Sequence, residues 1–265
     1  MTISGSRLLR HAAAILFTAG LLAACSGDAV LTPQGQESAA PLFSGTTPDK
    51  PQFNPFVDAS AQATAGRVVI TNPAVAEIMQ PVNDIPELSI GREDAPVTII
   101  KFASLTCQFC KQFQAETFPT LKREYIDTGK VRFIIRDFPI GMQSGAATIA
   151  MRCAPPAKQL ALYEKFLAQQ NAWVSQEVRR DPIFKIASQV GMNRADFDAC
   201  YENRGMIAAL NSTKERGRTL GIIGTPNFFV QGKLVKSTLD MKKIRELVDP
   251  ILAGQIAAKP AGLTR

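Results

Sequence analysis

The chain has 265 residues, 46% apolar and 20% charged, an ordinary globular composition with material for one sizeable core and appended segments. Its net charge of +7 includes Arg7 and Arg10 of a leader; without them 28 of the 30 bases face 23 acids, no run of five bases occurs and aromatics do not interleave with bases, so nothing supports nucleic-acid binding. The only histidine, His11, lies in the same leader, which excludes His-ligated zinc or copper, Ser-His and Cys-His nucleophile pairs and imidazole acid–base chemistry from the rest of the chain.

Residues 1–24, MTISGSRLLRHAAAILFTAGLLAA, carry two arginines, no acid and an apolar run from Ala12 to Ala24. That run is short of the roughly 20 residues that span a bilayer, so a cleaved secretory signal is expected rather than a permanent anchor. Its ending, Leu22-Ala23-Ala24-Cys25, resembles a bacterial lipobox, which makes Cys25 the expected lipidated first residue of the mature protein. A plain secretory peptide with an incidental cysteine is the alternative. Residues 25–85 are rich in Pro, Ala, Gly, Ser, Thr and Gln and read as a flexible tether, short structure near NPAVAEIMQ aside. About 50 such residues reach on the order of 40 Å, enough to let an anchored domain sample the space above a membrane.

From about Pro86 the pattern becomes dense. APVTIIKFAS (95–104) predicts a strand that leads straight into Cys107. QFCKQFQAETFPTLKREYIDTG predicts a helix with Phe113, Phe118, Leu121 and Tyr125 on one face, a kink at Pro119 and a stop at Gly129. KVRFIIRDFPI (130–140) predicts a second, buried strand. Residues 144 to about 217 read as helical, with breaks at Pro155-Pro156, Gly191-Met192-Asn193 and Gly221; Leu162, Tyr163, Phe166 and Trp173 are expected core. TPNFFVQGKLV then predicts two short strands around a glycine turn, and LDMKKIRELVDPILAGQ an amphipathic terminal helix, before a tail over 257–265. The order is that of an α/β, thioredoxin-type sheet with an inserted helical domain.

Cys107-Gln108-Phe109-Cys110 admits several chemistries. A four-cysteine zinc site needs a second close pair, whereas Cys153 and Cys200 stand 47 positions apart; covalent haem needs histidine where Lys111 stands. A structural bridge over two residues closes too small a loop to constrain much chain entropy. Redox chemistry has a mechanism: a strand ending at Ser104 and a helix starting near Cys107 place that sulfur at a helix N-terminus, where free N–H groups and the helix dipole favour a thiolate. Cys107 is then the attacking sulfur and Cys110 the shielded, resolving one. Gly224-Thr225-Pro226, just before the strand from Asn227, independently suggests a cis-proline turn.

Together, the segment from Ala95 to Ile140, the helical block with Cys153 and Cys200, and GTPNFFVQGK resemble the DsbA-like branch of the thioredoxin superfamily, over about residues 86–256. The resemblance implies that Cys107 and Cys110 are the redox pair and Pro226 the cis-proline, with the Thr225 backbone free to pair with an extended client. It implies cysteine-containing exported proteins as substrates, a membrane redox partner for recycling, and neither metal nor cofactor. Monomer is the default state, and the bacterial periplasm, lipid-anchored to the membrane, the expected location; Ser26 after the lipidated cysteine permits outer-membrane sorting.

Two departures from that pattern matter. Oxidising members usually carry Pro-His between the cysteines, and Gln108-Phe109 cannot supply that charge, which predicts a less oxidising pair. Lys101 stands where related sequences commonly have an acid. Its plain reading is a strand-edge residue with its amine in solvent; the sharper one is a partly buried ammonium that favours the Cys107 thiolate. Cys153 and Cys200, in the insertion of an exported chain, are expected to form a structural disulfide, worth on the order of 4 kcal/mol in the entropy model; a regulatory bond and two free thiols stay open. Phe109, between the cysteines, is expected at the surface, where it can meet apolar client segments.

Overall fold

The computed structural model describes residues 69–70 and 73–258; the signal segment, Cys25, most of the tether and the last seven residues lie outside the described residues. Five strands form one mixed sheet: β1 (Leu88–Ile90), β2 (Val97–Ala103), β3 (Val131–Asp137), β4 (Asn227–Val230) and β5 (Lys233–Val235), in the spatial order β1-β3-β2-β4-β5. The central pair β2 and β3 runs parallel, in register from Val97 against Val131 to Ala103 against Asp137. β4 joins β2 antiparallel and β1 joins β3 antiparallel. A parallel pair requires cover on both faces, and VTIIKFA and VRFIIRD are accordingly buried almost throughout around their apolar centres. β4 and β5 are closed by Gln231-Gly232, both at positive φ (46° and 86°), the backbone of a two-residue hairpin turn.

The helix after β2 is not uniform. It starts as α2 (Gln108–Gln112), following the short N-terminal α1 (Val75–Met79), and widens into a π turn over Phe113–Thr117. It narrows as α3 (Phe118–Leu121) and widens again over Lys122–Ile126. Pro119 lacks the N–H that would continue a regular ladder, and the π turn before it takes up the mismatch in place of a simple kink. Gly129, at φ 74°, ends the rod as expected.

Between β3 and β4 the chain is helical: α4 (Gly141–Cys153), α5 (Pro156–Ala168), α6 (Gln170–Trp173), α7 (Arg180–Ala187), α8 (Arg194–Cys200) and α9 (Arg204–Thr219). This is the expected insertion, a few residues wider than 144–217. Leu162, Tyr163, Phe166 and Trp173 are all buried, and the Trp173 indole donates to the Phe166 carbonyl at 2.8 Å. α10 (Met241–Ala258) closes the chain against β2. No helix among the described residues is long and apolar enough to cross a membrane.

Alternation along β2 divides the core. Val97, Ile99, Lys101 and Ala103 point to the face covered by the active helix and the insertion; Ile100 and Phe102 point to the other, with Ile134, Phe229, Phe138, Leu220 and Ile222. The second face corrects the tether boundary at 85. Ile78 is fully buried there, Arg136 donates to its carbonyl, Arg216 donates to the Glu77 carbonyl at 2.8 Å, and Asn83 donates to the Ala209 carbonyl at 2.6 Å. Without this arm an apolar sheet face would meet water, so the described part of the tether packs as domain. Gly217 serves the same face: a Cβ there would stand 2.9 Å from the Phe138 ring, so glycine lets α9 approach the sheet.

Cys153, at the end of α4, is bonded to Cys200, at the end of α8, with 6.0 Å between their Cα atoms. The bond closes two helices of the insertion on each other and lies apart from the Cys107 loop.

Candidate active site

β2 ends at Ala103, and Ser104-Leu105-Thr106 turn the chain into α2 with Cys107 as its N-cap. The cap backbone is extended (φ −77°, ψ 118°), and the Cys107 sulfur accepts from the Cys110 N–H at 3.2 Å. A thiol in this role replaces the oxygen that usually satisfies a first-turn donor, and as a thiolate it accepts more strongly. Cys107 is half-buried while Cys110 is fully buried one turn on, and both are free thiols. Phe109 is 59% exposed, as expected of a residue between the two cysteines.

The distant GTP loop reaches the same point. The Thr225–Pro226 peptide bond is cis, and the Thr225 carbonyl accepts from the Cys107 thiol at 3.2 Å across 118 positions of sequence. Four of the residues singled out in the sequence, Cys107, Cys110, Thr225 and Pro226, therefore converge. Cys153 and Cys200 do not join them.

The two thiols differ in acidity. Cys107 is lowered to about 6, first by hydrogen bonding from the Cys110 side chain; burial opposes this, and the Thr225 side chain and the Cys110 and Phe109 N–H groups add to it. Cys110 is pushed well above the ordinary thiol range, mainly by burial, with the neighbouring Lys101 charge acting the other way. The accessible sulfur is thus a thiolate at neutral pH, and the sulfur behind it is a thiol. Native alkylation with iodoacetamide is expected to modify Cys107 alone, the rate rising about tenfold per pH unit below 6 and levelling above it. A midpoint near 8.5, with both cysteines reacting, would contradict the assignment.

Lys101 overturns its strand-edge reading. It sits in the central strand, 0% exposed, because Ile99 and Ala103 on either side fix its direction into the core. Its Nζ donates to the Cys110 carbonyl at 3.4 Å and lies 4.4 Å from the centre of the Phe113 ring and 5.6 Å from that of Tyr163. Burial lowers it to about 8, and the Cys110 and Cys107 sulfurs act to raise it. By reciprocity its charge favours both thiolates, with Cys110 the stronger partner.

Two positioning residues escaped the sequence reading. Gln170 of α6, fully buried, donates to the carbonyls of Leu105 at 2.7 Å and Cys107 at 3.1 Å. Ser144 of α4 bonds to the Ser104 hydroxyl at 2.7 Å and to the Leu105 N–H at 3.1 Å. Both brace the turn before Cys107 from the insertion. The available signal was a polar side chain inside an apolar helical stretch.

Comparison with known proteins agrees with this geometry. The sequence profile of the family described as Thioredoxin matches residues 83–250. A Rickettsia conorii protein named as a protein-disulfide oxidoreductase is 29% identical over 164 residues, covering 61% of this chain and 59% of its own. The disulfide bond formation protein D of Bacillus subtilis is 24% identical over 63% of this chain and 77% of its own. The Rickettsia relatives are thus matched over about three-fifths of their length, two of them over 59% and 58%. Among solved structures, Wolbachia pipientis alpha-DsbA1 superposes with a TM-score of 0.62 at 23% identity, over 69% of this chain and 98% of its own. Bacillus subtilis BdbD does so with 0.58 at 22%, over 63% and 94%. The profile covers most of the chain and the fold is shared with these structures, so the chain belongs to the thioredoxin family.

Proposed function

We propose that the chain is a protein-disulfide oxidoreductase that exchanges disulfides with cysteine-containing exported proteins. Cys107 is the attacking thiolate and Cys110 the resolving thiol. The observation that carries this is the asymmetry of the pair: an accessible sulfur acidified to about 6 beside a buried one held protonated. A thiolate this acidic is also a good leaving group, which favours passing the disulfide on to clients, so disulfide formation is the main direction. The absence of histidine at 108–109 favours a second reading, an isomerase or reductase kept as the dithiol. An anchored client-binding protein without turnover is the rival outside catalysis.

In this reading an extended client segment lies along Thr225 and Pro226, with Phe109 against its apolar side chains. A membrane redox partner restores the disulfide, no cofactor or metal is needed, and the chain works as a monomer without binding nucleic acid. Cys25, outside the described residues, anchors it by lipid in the periplasm, with the tether before residue 69 providing reach. The Cys153–Cys200 bond braces the insertion. Thiol trapping in cells tests the direction: Cys107 and Cys110 mostly oxidised is the expected result, and a mostly reduced pair assigns the isomerase or reductase role instead.

A further inference from the structure

The mechanism above uses two sulfurs and leaves a buried amine beside them without a task. Among the described residues no carboxylate pairs with Lys101, and an ammonium at zero exposure without a counter-charge carries a large desolvation penalty. The titratable groups facing it are Cys107 and Cys110 from the α2 region and Tyr163 from α5. Asp137, on β3, is held by Arg152 at 2.6 Å, and the neighbouring β4 segment Asn227–Val230 brings no titratable group. Tyr163 is pushed well above its ordinary range by burial and stays neutral. Among the described residues, the negative charge that forms beside Lys101 in the catalytic cycle is therefore sulfur's, and it exists only when the pair is reduced.

We propose that Lys101 is the second proton acceptor of the redox pair, taking up a proton when the Cys107–Cys110 disulfide is reduced and giving it up when the disulfide is re-formed. The balance is complete within the site. A client dithiol gives two electrons and two protons; the Cys107–Cys110 bond breaks and the client S–S bond forms. Cys107 is left as thiolate, Cys110 Sγ keeps one proton and Lys101 Nζ takes the other. The oxidised site, with a disulfide and a neutral amine, has no net charge. The reduced site, with thiolate, thiol and ammonium, has none either. A compartment sealed by Phe113, Tyr163 and the central strands thus passes between redox states without burying an uncompensated charge, the condition under which burial is cheapest. The lowered position of Lys101, about 8 with the sulfurs' help and lower without it, fits an amine that changes protonation in step with them.

This inference rests on the redox reading of Cys107 and Cys110, and its test separates the two. The oxidised full-length protein is mixed with dithiothreitol at pH 7 in weak buffer containing a pH-indicator dye. Reduction at Cys107–Cys110 is counted by mass tagging of thiols. Wild type is expected to release close to no protons. Lys101→Met and Lys101→Arg, the second keeping charge and bulk without an exchangeable state, are expected to release about one proton per disulfide reduced, a tenfold-per-pH-unit difference in the reduction equilibrium or about 30 mV. Release of about one proton by wild type overturns the role of Lys101, and does so whether or not either variant folds. A protein in which dithiothreitol finds no disulfide between Cys107 and Cys110 overturns the redox reading along with it.

Discussion

Cys107→Ser is expected to lose disulfide exchange, with insulin reduction and dithiol-peptide oxidation falling to on the order of 1% of wild type or less, because among the described residues Cys107 is the accessible free thiol. Cys110→Ser should behave differently. It keeps an accessible thiolate but cannot resolve the mixed disulfide, so clients should accumulate as covalent adducts that reductant dissolves on a gel. The largest influence on Cys107 is the hydrogen bond from the Cys110 side chain, and that gives a finer expectation. A serine hydroxyl can still donate, so Cys110→Ser should retain most of the acidity of Cys107, whereas Cys110→Ala should move its alkylation midpoint up towards the ordinary thiol range. Client binding by wild type with no turnover that depends on Cys107 would leave only the client-binding rival standing.

The second large effect concerns stability. Arg152, nearly buried at the end of α4, reaches Asp137 at 2.6 Å, the Pro86 carbonyl at 2.8 Å and Gln159 at 3.1 Å, so one guanidinium ties the insertion, the end of β3 and the segment leading into β1. Arg152→Met should lose about 3–5 kcal/mol, since it leaves Asp137 charged and unpaired in the core. Pairing it with Asp137→Leu should recover much of the loss, because the penalty belongs to the orphaned carboxylate rather than to the missing attraction. Urea unfolding of the single and double variants reads both. A loss below about 1 kcal/mol in the single variant would show that Asp137 finds other solvation.

Much of the fold and most of the site were legible in the sequence, for reasons that differ by residue. The cysteine pair, the Gly224-Thr225-Pro226 turn and the two β-branched strands are short-range patterns in which neighbours determine the geometry. β1 was missed because three residues, Leu88–Ile90, are too few to show a period, and their pairing with β3 is decided by the sheet edge. The arm around Ile78 was missed because its composition is that of a linker and its burial depends on an apolar face formed far along the chain. Lys101 was misplaced by a rule of thumb about charged side chains, although counting by twos from Ile99 to Ala103 already pointed it inward. Gln170 and Ser144 stand out only as polar side chains inside apolar helical stretches, and their partners, more than 35 positions away, leave no mark on the local sequence.

The arm also separates two meanings of the word domain. The match to the family profile starts at residue 83, yet α1, ahead of it, covers part of the second sheet face with Ile78 and engages Arg136 and Arg216. The stretch that matches the profile is therefore shorter than the unit that packs together. Residues 73–83 therefore share the core with the sheet, and their sequence is under the constraints of packing as well as those of length.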